Sequence, residues 1–275
     1  MSTARDKLLK ELFRETEYYA PHTRRQYFNH VNSYLDYVGD VGDWKDRDTL
    51  YTYAKKLRKT HSQDYVNYII RGPIGALFRC HGLRIPIKLP RVSVDVDISE
   101  RVRFEPEQVA ALVAAARASG DTQAKALLAI STVYGPRAGE LLKIRSEDLH
   151  PKKQTIIIRT LKHGLKREHL IPEAILPPLF GYDYQPISLA RLYATLDRVA
   201  EQAGIVRVQR KSFHAIRHAL IDALKYEAGL DDEKISRFTG WREKGMVGKY
   251  AKLFPFQPKL DFEIFEKHPF LKLWE

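Results

Sequence analysis

The sequence from Lys211 to Tyr250 reads KSFHAIRHALIDALKYEAGLDDEKISRFTGWREKGMVGKY and predicts a helix that carries polar residues beside a core. After the candidate N-cap Ser212, hydrophobic residues recur at helical spacing: Phe213, Ile216, Leu220 and Leu224. His214 and Arg217 are three residues apart, so they share a helix face. The stretch therefore predicts one side in a core and one side that presents an imidazole and a guanidinium together.

Tyr250, nine positions after Trp241, completes a set of residues suited to phosphate chemistry. A tyrosine phenol has a pKa of about 10, so it needs nearby cations or a base to act as a nucleophile. An arginine binds two phosphate oxygens through its planar fork. The combination of His214, Arg217 and Tyr250 therefore favours a site that acts on a phosphodiester.

The pattern H-x-x-R, then G-W, then Y resembles the C-terminal signature of the tyrosine recombinases, the phage-integrase family, which has His more often than Trp after the glycine. Two upstream motifs extend this resemblance. YGPRAGELL, residues 134–142, resembles the box T-G-x-R-x-x-E-L, and TLKHGLKREHLIP resembles the β-hairpin that carries a lysine. Lys166 is the alternative to Lys162 as that lysine. The resemblance implies this catalytic set: Arg137, Lys162, His214, Arg217, Trp241 and Tyr250.

The resemblance implies a mainly α fold, with an N-terminal helical core-binding domain and an α+β catalytic domain that contains a small β-sheet. It implies a site-specific recombinase that cuts and rejoins DNA through a 3′-phosphotyrosyl intermediate, in integration, excision or dimer resolution. A type IB topoisomerase-like strand transferase is one alternative. A non-catalytic DNA-binding relative is another, but the complete set of six residues argues against it.

The resemblance also implies a role for each residue. Tyr250 attacks the phosphate, Arg137 and Arg217 hold its nonbridging oxygens, and Trp241 orients it. His214 accepts the tyrosine proton, and Lys162 protonates the leaving 5′-oxygen. No metal or other cofactor is expected in this scheme.

The composition agrees with a nucleic-acid partner. The chain has 275 residues, a formal net charge of +12 and a pI of about 9.6, an excess that favours polyanions. An anionic membrane surface is the other possible partner, but there is no apolar run of about 20 residues for a membrane span. Four basic residues are candidates for DNA contacts, although each is equally typical of a solvated surface: Arg24, Arg25, Arg210 and Lys211.

The chain is expected to form two domains. Residues 1–90 predict a helical domain, 91–103 a linker that follows two prolines, and 104–275 a catalytic domain. Thr155 to Leu161 and Arg167 to Ile171 predict a β-hairpin. The apolar tail, residues 255–275, is expected either to dock on a neighbouring copy as an exchange segment or to fold back on its own domain.

Motifs for cofactors are weak. His214 and His218 form H-x-x-x-H, but position 215 is Ala and no third ligand is evident, so zinc is not expected. There is no glycine-rich nucleotide loop. The expected partner is duplex DNA with an inverted-repeat core site, bound as a homotetramer by a protein that is a monomer or weak dimer when free. With Cys80 as the single cysteine, a cytoplasmic, nucleoid-associated protein is expected.

Overall fold

The computed structural model describes residues 4–39, 42–90, 103–160, 166–205, 212–240 and 256–275. The chain divides into two compact units, Met1–Val96 and Asp97–Glu275. The linker expected at 91–103 lies almost wholly outside the described residues, so its structure stays a prediction. Each unit has its own hydrophobic core.

The N-terminal unit is helical, as expected for a core-binding domain. Its helices are α1 (Ala4–Glu15), α2 (Pro21–Val38), α3 (Arg47–Arg58), α4 (Gln63–Ile69) and α5 (Gly75–Cys80). Asp46 and Ser62 cap the starts of α3 and α4 by accepting hydrogen bonds from backbone amides. The core includes Val31, Tyr34, Leu50, Ile70 and Leu77, all fully buried.

The sequence pattern predicts one helix from Tyr65 to Phe78, and here the structure differs. A π-helical turn at Ile70–Ile74 separates α4 from α5. Pro73 lies inside this turn, and a proline has no N–H to donate to the preceding turn and clashes with it. The wider turn accommodates the proline and keeps Ile70 and Ile74 in the core.

The C-terminal unit is α+β, which confirms the expected fold class. Its helices are α6 (Pro106–Ala118), α7 (Thr122–Tyr134), α8 (Ala138–Leu141), α9 (Leu176–Phe180), α10 (Leu189–Gln202), α11 (Phe213–Tyr226), α12 (Asp232–Thr239) and α13 (Pro258–Glu266). Its strands are β1 (Leu149–His150), β2 (Thr155–Arg159) and β3 (Lys166–Leu170). They form an antiparallel sheet in the order β1-β2-β3. The β2–β3 hairpin was expected, whereas the two-residue strand β1 was not.

Helix α7 lies at the centre of this unit. Its residues from Ala126 to Tyr134 are buried, and α6, α9 and α11 pack around it. The helix ends at Gly135, whose φ of +56° is left-handed and therefore favours glycine. A Cβ at this position would lie 3.0 Å from Leu220 Cδ2 of α11. Gly135 thus allows α7 and α11 to approach closely where the chain turns towards Arg137.

The tail folds back on its own unit, which is the second of the two arrangements expected for it. Ile264, Phe270, Leu271 and Trp274 are buried in the core of this unit. The indole of Trp274 donates to Thr132 Oγ1 at 3.0 Å, and His268 Nε2 lies 2.9 Å from Val133 O. Docking on a neighbouring copy stays a prediction for the DNA-bound assembly. It would require these buried contacts to be re-formed between copies.

None of the helices in the described part of the chain combines the length and hydropathy needed to cross a membrane.

Candidate active site

Arg217 is the buried centre of the site. It lies on α11, and its side chain is 1% exposed. Its Nη1 donates to Gly135 O at the end of α7 and, at 2.7 Å, to Thr239 O at the end of α12. Its Nη2 is also buried and has no hydrogen-bond partner among the described residues. The ends of α7 and α12 therefore enclose the guanidinium, whereas His214 on the same helix is exposed.

Arg137 provides a second, more accessible guanidinium. It precedes the short helix α8, and its side chain is 38% exposed. The carboxylate of Glu140 accepts from the Arg137 backbone amide and from Arg137 Nη1, both at 3.0 Å. Glu140 itself is fully buried. The E of the R-x-x-E motif thus fixes the arginine three residues before it.

A third arginine, Arg167, was not among the expected site residues. It is the second residue of β3 and is 2% exposed. Its Nη2 lies 3.5 Å from Glu140 Oε2, and its Nη1 donates to Phe238 O. In the hairpin it is paired with Ile158, whose side chain is buried. Because paired residues of antiparallel strands share a face, the register is the signal that predicts the inward orientation of Arg167.

The three arginines meet at the C-terminal end of α12. Phe238 O accepts from Arg167, and Thr239 O accepts from Arg217. Gly240 O lies 3.5 Å from both Nη atoms of Arg137. The last carbonyls of a helix have no partner inside the helix and carry partial negative charge. The arginines therefore stabilise the helix end directly before Trp241 in the sequence.

The electrostatics of this cluster favour an anion. Burial would raise the pKa of Glu140, but Arg167, the Arg137 amide and the Arg137 and Arg217 guanidinium groups outweigh it, and the net pKa is lowered. Burial lowers the pKa of Arg217 to about 9, and the charges of Arg167 and Arg137 act in the same direction. Both groups thus remain charged at neutral pH. Three guanidinium groups against one carboxylate leave an excess of positive charge.

His214 belongs to the same electrostatic environment. It lies one turn before Arg217 on α11 and is exposed, although neighbouring atoms still remove part of its hydration. This partial burial lowers its pKa, and the positive charges of Arg217 and Arg137 lower it further. Its ring lies 4.4 Å from that of His218, measured between centroids, in an edge-to-face arrangement. A neutral imidazole at this position is able to accept a proton.

Of the six expected catalytic residues, the structure brings together Arg137, His214 and Arg217. Lys162, Trp241 and Tyr250 lie outside the described residues, so their roles stay predictions. Lys166, the alternative to Lys162, is exposed and pairs with Arg159 at the start of β3.

The expected DNA-contacting residues are not tested by the structure. Arg24 packs within its own unit, where Nε donates to Thr16 O at 3.2 Å and the guanidinium lies over the ring of Phe13. Arg25 is exposed on α2. Arg210 and Lys211 lie outside the described residues. In the described ranges there is no group of three or more His, Cys, Asp and Glu side chains that could hold a metal ion.

The fold is similar to that of known tyrosine recombinases and integrases, which confirms the resemblance indicated by the sequence motifs. The chain is 21% identical to the tyrosine recombinase XerA of Thermococcus kodakarensis over 274 residues, covering 88% of this chain and 89% of that protein. No protein-family model matches the chain.

Three solved structures share the fold over most of the chain. A λ integrase fragment, crystallised as a dimer bound to a COC′ core site, superposes with a TM-score of 0.63 at 15% identity, covering 87% of this chain and 96% of that one. The Tn1549 transposon integrase, in complex with circular intermediate DNA, gives a TM-score of 0.64 at 17% identity, covering 90% and 95%. A λ integrase tetramer bound to a Holliday junction gives 0.66 at 15% identity, covering 90% and 76%.

Proposed function

We propose that this protein is a site-specific DNA recombinase that cuts and rejoins DNA through a 3′-phosphotyrosyl intermediate. The observation that carries the proposal is the arginine cluster at the end of α12. Arg137 and Arg217 converge there beside His214, within a fold shared with recombinases that were crystallised on DNA. The residues that follow this helix end include the proposed nucleophile Tyr250.

The cluster is suited to a phosphodiester. A phosphodiester carries one negative charge and gains another when a phenolate oxygen attacks it, which matches an excess of two positive charges from Arg137, Arg167 and Arg217 against Glu140. The buried, unpartnered Nη2 of Arg217 can donate to one nonbridging oxygen. Arg137 can exchange its long contacts to Gly240 O for the other.

The remaining steps follow from the proposed residues. The Tyr250 oxygen forms a bond to phosphorus as the bond to the 5′-oxygen breaks, and the phenol proton passes to His214. Lys162 gives a proton to the departing 5′-oxygen as general acid. Because the phosphotyrosyl bond replaces the phosphodiester bond, a different 5′-hydroxyl can reverse the reaction without an energy source. Trp241 orients the phosphate through its indole N–H.

We further propose that the partner is duplex DNA with an inverted-repeat core site, occupied by four copies of the chain during strand exchange. The structural relatives include a dimer bound to a core site and a tetramer bound to a Holliday junction. The net charge of +12 supports a polyanionic partner. The proposed contacts to the phosphate backbone are Arg24, Arg25, Arg210 and Lys211. Of these, Arg24 also packs against residues of its own unit.

The test is the capture of a covalent complex on duplexes nicked beside a randomised sequence. The wild-type protein is expected to form an adduct that resists denaturation, because the short 5′-hydroxyl fragment between the cleaved phosphate and the nick diffuses away and religation fails. Tyr250→Phe removes only the phenol oxygen, so it is expected to bind the same DNA and to form no adduct. An adduct formed by the Phe variant would show that another residue is the nucleophile.

Plasmid relaxation and two-site exchange assays, together with the adduct assay, separate the two alternatives. A topoisomerase-like strand transferase relaxes supercoiled plasmid but does not exchange strands between two sites on one DNA. A non-catalytic relative binds DNA and forms no adduct. We favour the recombinase because the short helical N-terminal unit and the G-W-x8-Y spacing resemble that family.

A further inference from the structure

Arg167 is a charged residue buried on the inner face of a strand, which is unusual for arginine. The segment KREHL of β3 is polar, yet Arg167 and His169 are both buried on its inner face. A buried guanidinium is costly unless its charge is paired and its donors are used. Arg167 forms an ion pair with Glu140 and donates a hydrogen bond to Phe238 O. The fold therefore retains a buried charge in the layer beneath Arg137.

The contacts of Arg167 connect three segments that carry proposed catalytic residues. Through its own strand it belongs to the β2–β3 hairpin, and the sequence between these strands includes the proposed Lys162. Through Glu140 it reaches the residue that binds the amide and Nη1 of Arg137. Through Phe238 O it holds the helix end that leads to Trp241. It contacts all three segments from inside the protein.

Gly240 shows how closely the guanidinium is packed against this helix end. A Cβ at Gly240 would lie 3.0 Å from Arg167 Nε and 3.3 Å from its Cζ, and the φ of +65° is left-handed. The guanidinium plane thus lies against the backbone of the cap. A side chain at position 240 would displace Arg167, and displacement of Arg167 would free the cap.

We infer that Arg167 is a positioning residue for cleavage: it keeps Glu140 ionised beneath Arg137 and fixes the end of α12, so that Arg137 and Arg217 are in place before phosphate binds. The inference rests on the proposed function. Both Nη atoms of Arg167 are already engaged by Phe238 O and Glu140, whereas Arg217 Nη2 has no partner among the described residues, so Arg167 acts through Glu140 and the helix end. The groups that face Glu140 are the guanidinium groups of Arg137, Arg167 and Arg217.

Replacement by methionine and by lysine separates charge from shape. Arg167→Met leaves Glu140 buried with less positive charge around it, so its carboxylate takes up a proton at a higher pH and releases Arg137. Cleavage of the nicked duplex is expected to fall on the order of a hundredfold at neutral pH, with the acid limb of the pH–rate profile moved to higher pH. Arg167→Lys keeps the charge but cannot reach both partners, so we expect the cleavage rate to fall by about tenfold. The acid limb of its pH–rate profile should stay at the wild-type pH.

Arg159→Met is the matched control. Arg159 lies on the neighbouring strand β2 and is paired with the buried carboxylate of Asp148. Its removal also breaks an ion pair of this sheet, but we expect the pH–rate profile to stay that of the wild type. If folded Arg167→Met cleaves like the wild type at every pH, or loses rate equally at all pH values without relief by lysine, the positioning role is wrong. If the methionine variant does not fold, the lysine variant alone decides: a wild-type rate overturns the inference.

A measurement on the free protein separates this inference from the proposed function. Phenylglyoxal modifies accessible guanidinium groups, and its reaction with Arg137 can be followed by mass spectrometry without DNA. We expect Arg137 to react several-fold faster in Arg167→Met than in wild type or Arg159→Met, because its bond to Glu140 is lost. Unchanged reactivity overturns the inference. The expected reactivity together with a wild-type protein that forms no DNA adduct would instead refute the proposed function.

Discussion

The two buried polar residues of β3, Arg167 and His169, differ in their surroundings: Arg167 lies in a cluster with an excess of positive charge, and His169 is hydrogen-bonded to the tail. Arg167 faces the arginine cluster, where guanidinium groups outnumber carboxylates and Arg217 Nη2 lacks a partner among the described residues. His169, two residues later, meets the tail, where its Nδ1 lies 3.0 Å from Asp261 Oδ1. Asp261 also accepts from the Leu170 amide at 2.7 Å.

The two contacts of β3 indicate different roles, one in stability and one in the proposed chemistry. Burial lowers the pKa of His169 although Asp261 opposes this effect, so the ring is neutral and donates an ordinary hydrogen bond. The tail contact joins a neutral ring and a backbone amide to one carboxylate through hydrogen bonds, and we assign it to stability. Among the described residues, the arginine cluster keeps an excess of positive charge, which suits the proposed phosphate. Substitutions at the two ends should therefore affect different measurements.

The largest effect is expected from Arg217→Gln. It removes the buried charge and the free donor, so single-turnover cleavage should fall by about a thousandfold or more, as for loss of a main oxyanion donor. DNA binding, which depends on many phosphate contacts, should change little. Near-normal cleavage by this variant would place the scissile phosphate elsewhere.

A somewhat smaller loss is expected from Lys162→Ala, which tests the turn of the hairpin. General acid catalysis typically contributes on the order of a hundredfold or more, and a 5′-bridging sulfur should restore the rate because a thiolate leaves without a proton. The same sulfur should not restore Arg217→Gln. Rescue of Lys166→Ala instead would move the general acid four residues along the chain.

On the tail side, His268 predicts a pH-dependent stability. Burial lowers its pKa to about 4, although its bond to Val133 O opposes the shift. The unfolded chain therefore binds a proton that the folded chain excludes. Stability is full above about pH 6.5 and should fall by about 3 kcal/mol as the pH drops to about 4. Denaturant unfolding at several pH values measures this, and His268→Gln should flatten the dependence. A wild-type stability that rises on acidification in this range would contradict it.

The smallest effect on the proposed chemistry is expected from Asp261→Asn. The amide keeps the shape but weakens the bonds from His169 and Leu170, so the free energy of unfolding should fall by about 1–3 kcal/mol. The cleavage rate of the folded fraction should match the wild type. A loss of cleavage without a loss of stability would show that the tail contact also serves the site.

Motif spacing predicts Arg137, His214 and Arg217, which lie near the end of α12 in the structure. The helix with His214 and Arg217 and the β2–β3 hairpin follow from residues close in sequence. Arg167 was missed because its burial depends on strand register and on α12, which lies 71 residues further along the chain. The π-helical turn at Pro73 was missed because hydrophobic spacing continues through it.

The tail shows another limit of the sequence. Its apolar residues predict burial, but composition does not distinguish the core of the same chain from that of a neighbour. The hydrogen bonds of Trp274 and His268 to α7 favour the same chain in the free protein. A variant truncated after Leu253 would lose the tail residues of this core. If that variant fails to assemble on DNA, its free energy of unfolding must also be measured, because lost stability alone could prevent assembly.

The proposal that Tyr250 forms a 3′-phosphotyrosyl bond can be tested by mapping the covalent bond itself. The adduct trapped on a nicked duplex is digested with nuclease and trypsin, and the peptide that carries the nucleotide is identified by mass spectrometry. We expect a phosphodiester between Tyr250 and the 3′ end of the cleaved strand, with a free 5′-hydroxyl on the other fragment. An adduct on another residue, such as Tyr193 or Tyr226, or a bond to the 5′ end, would contradict it.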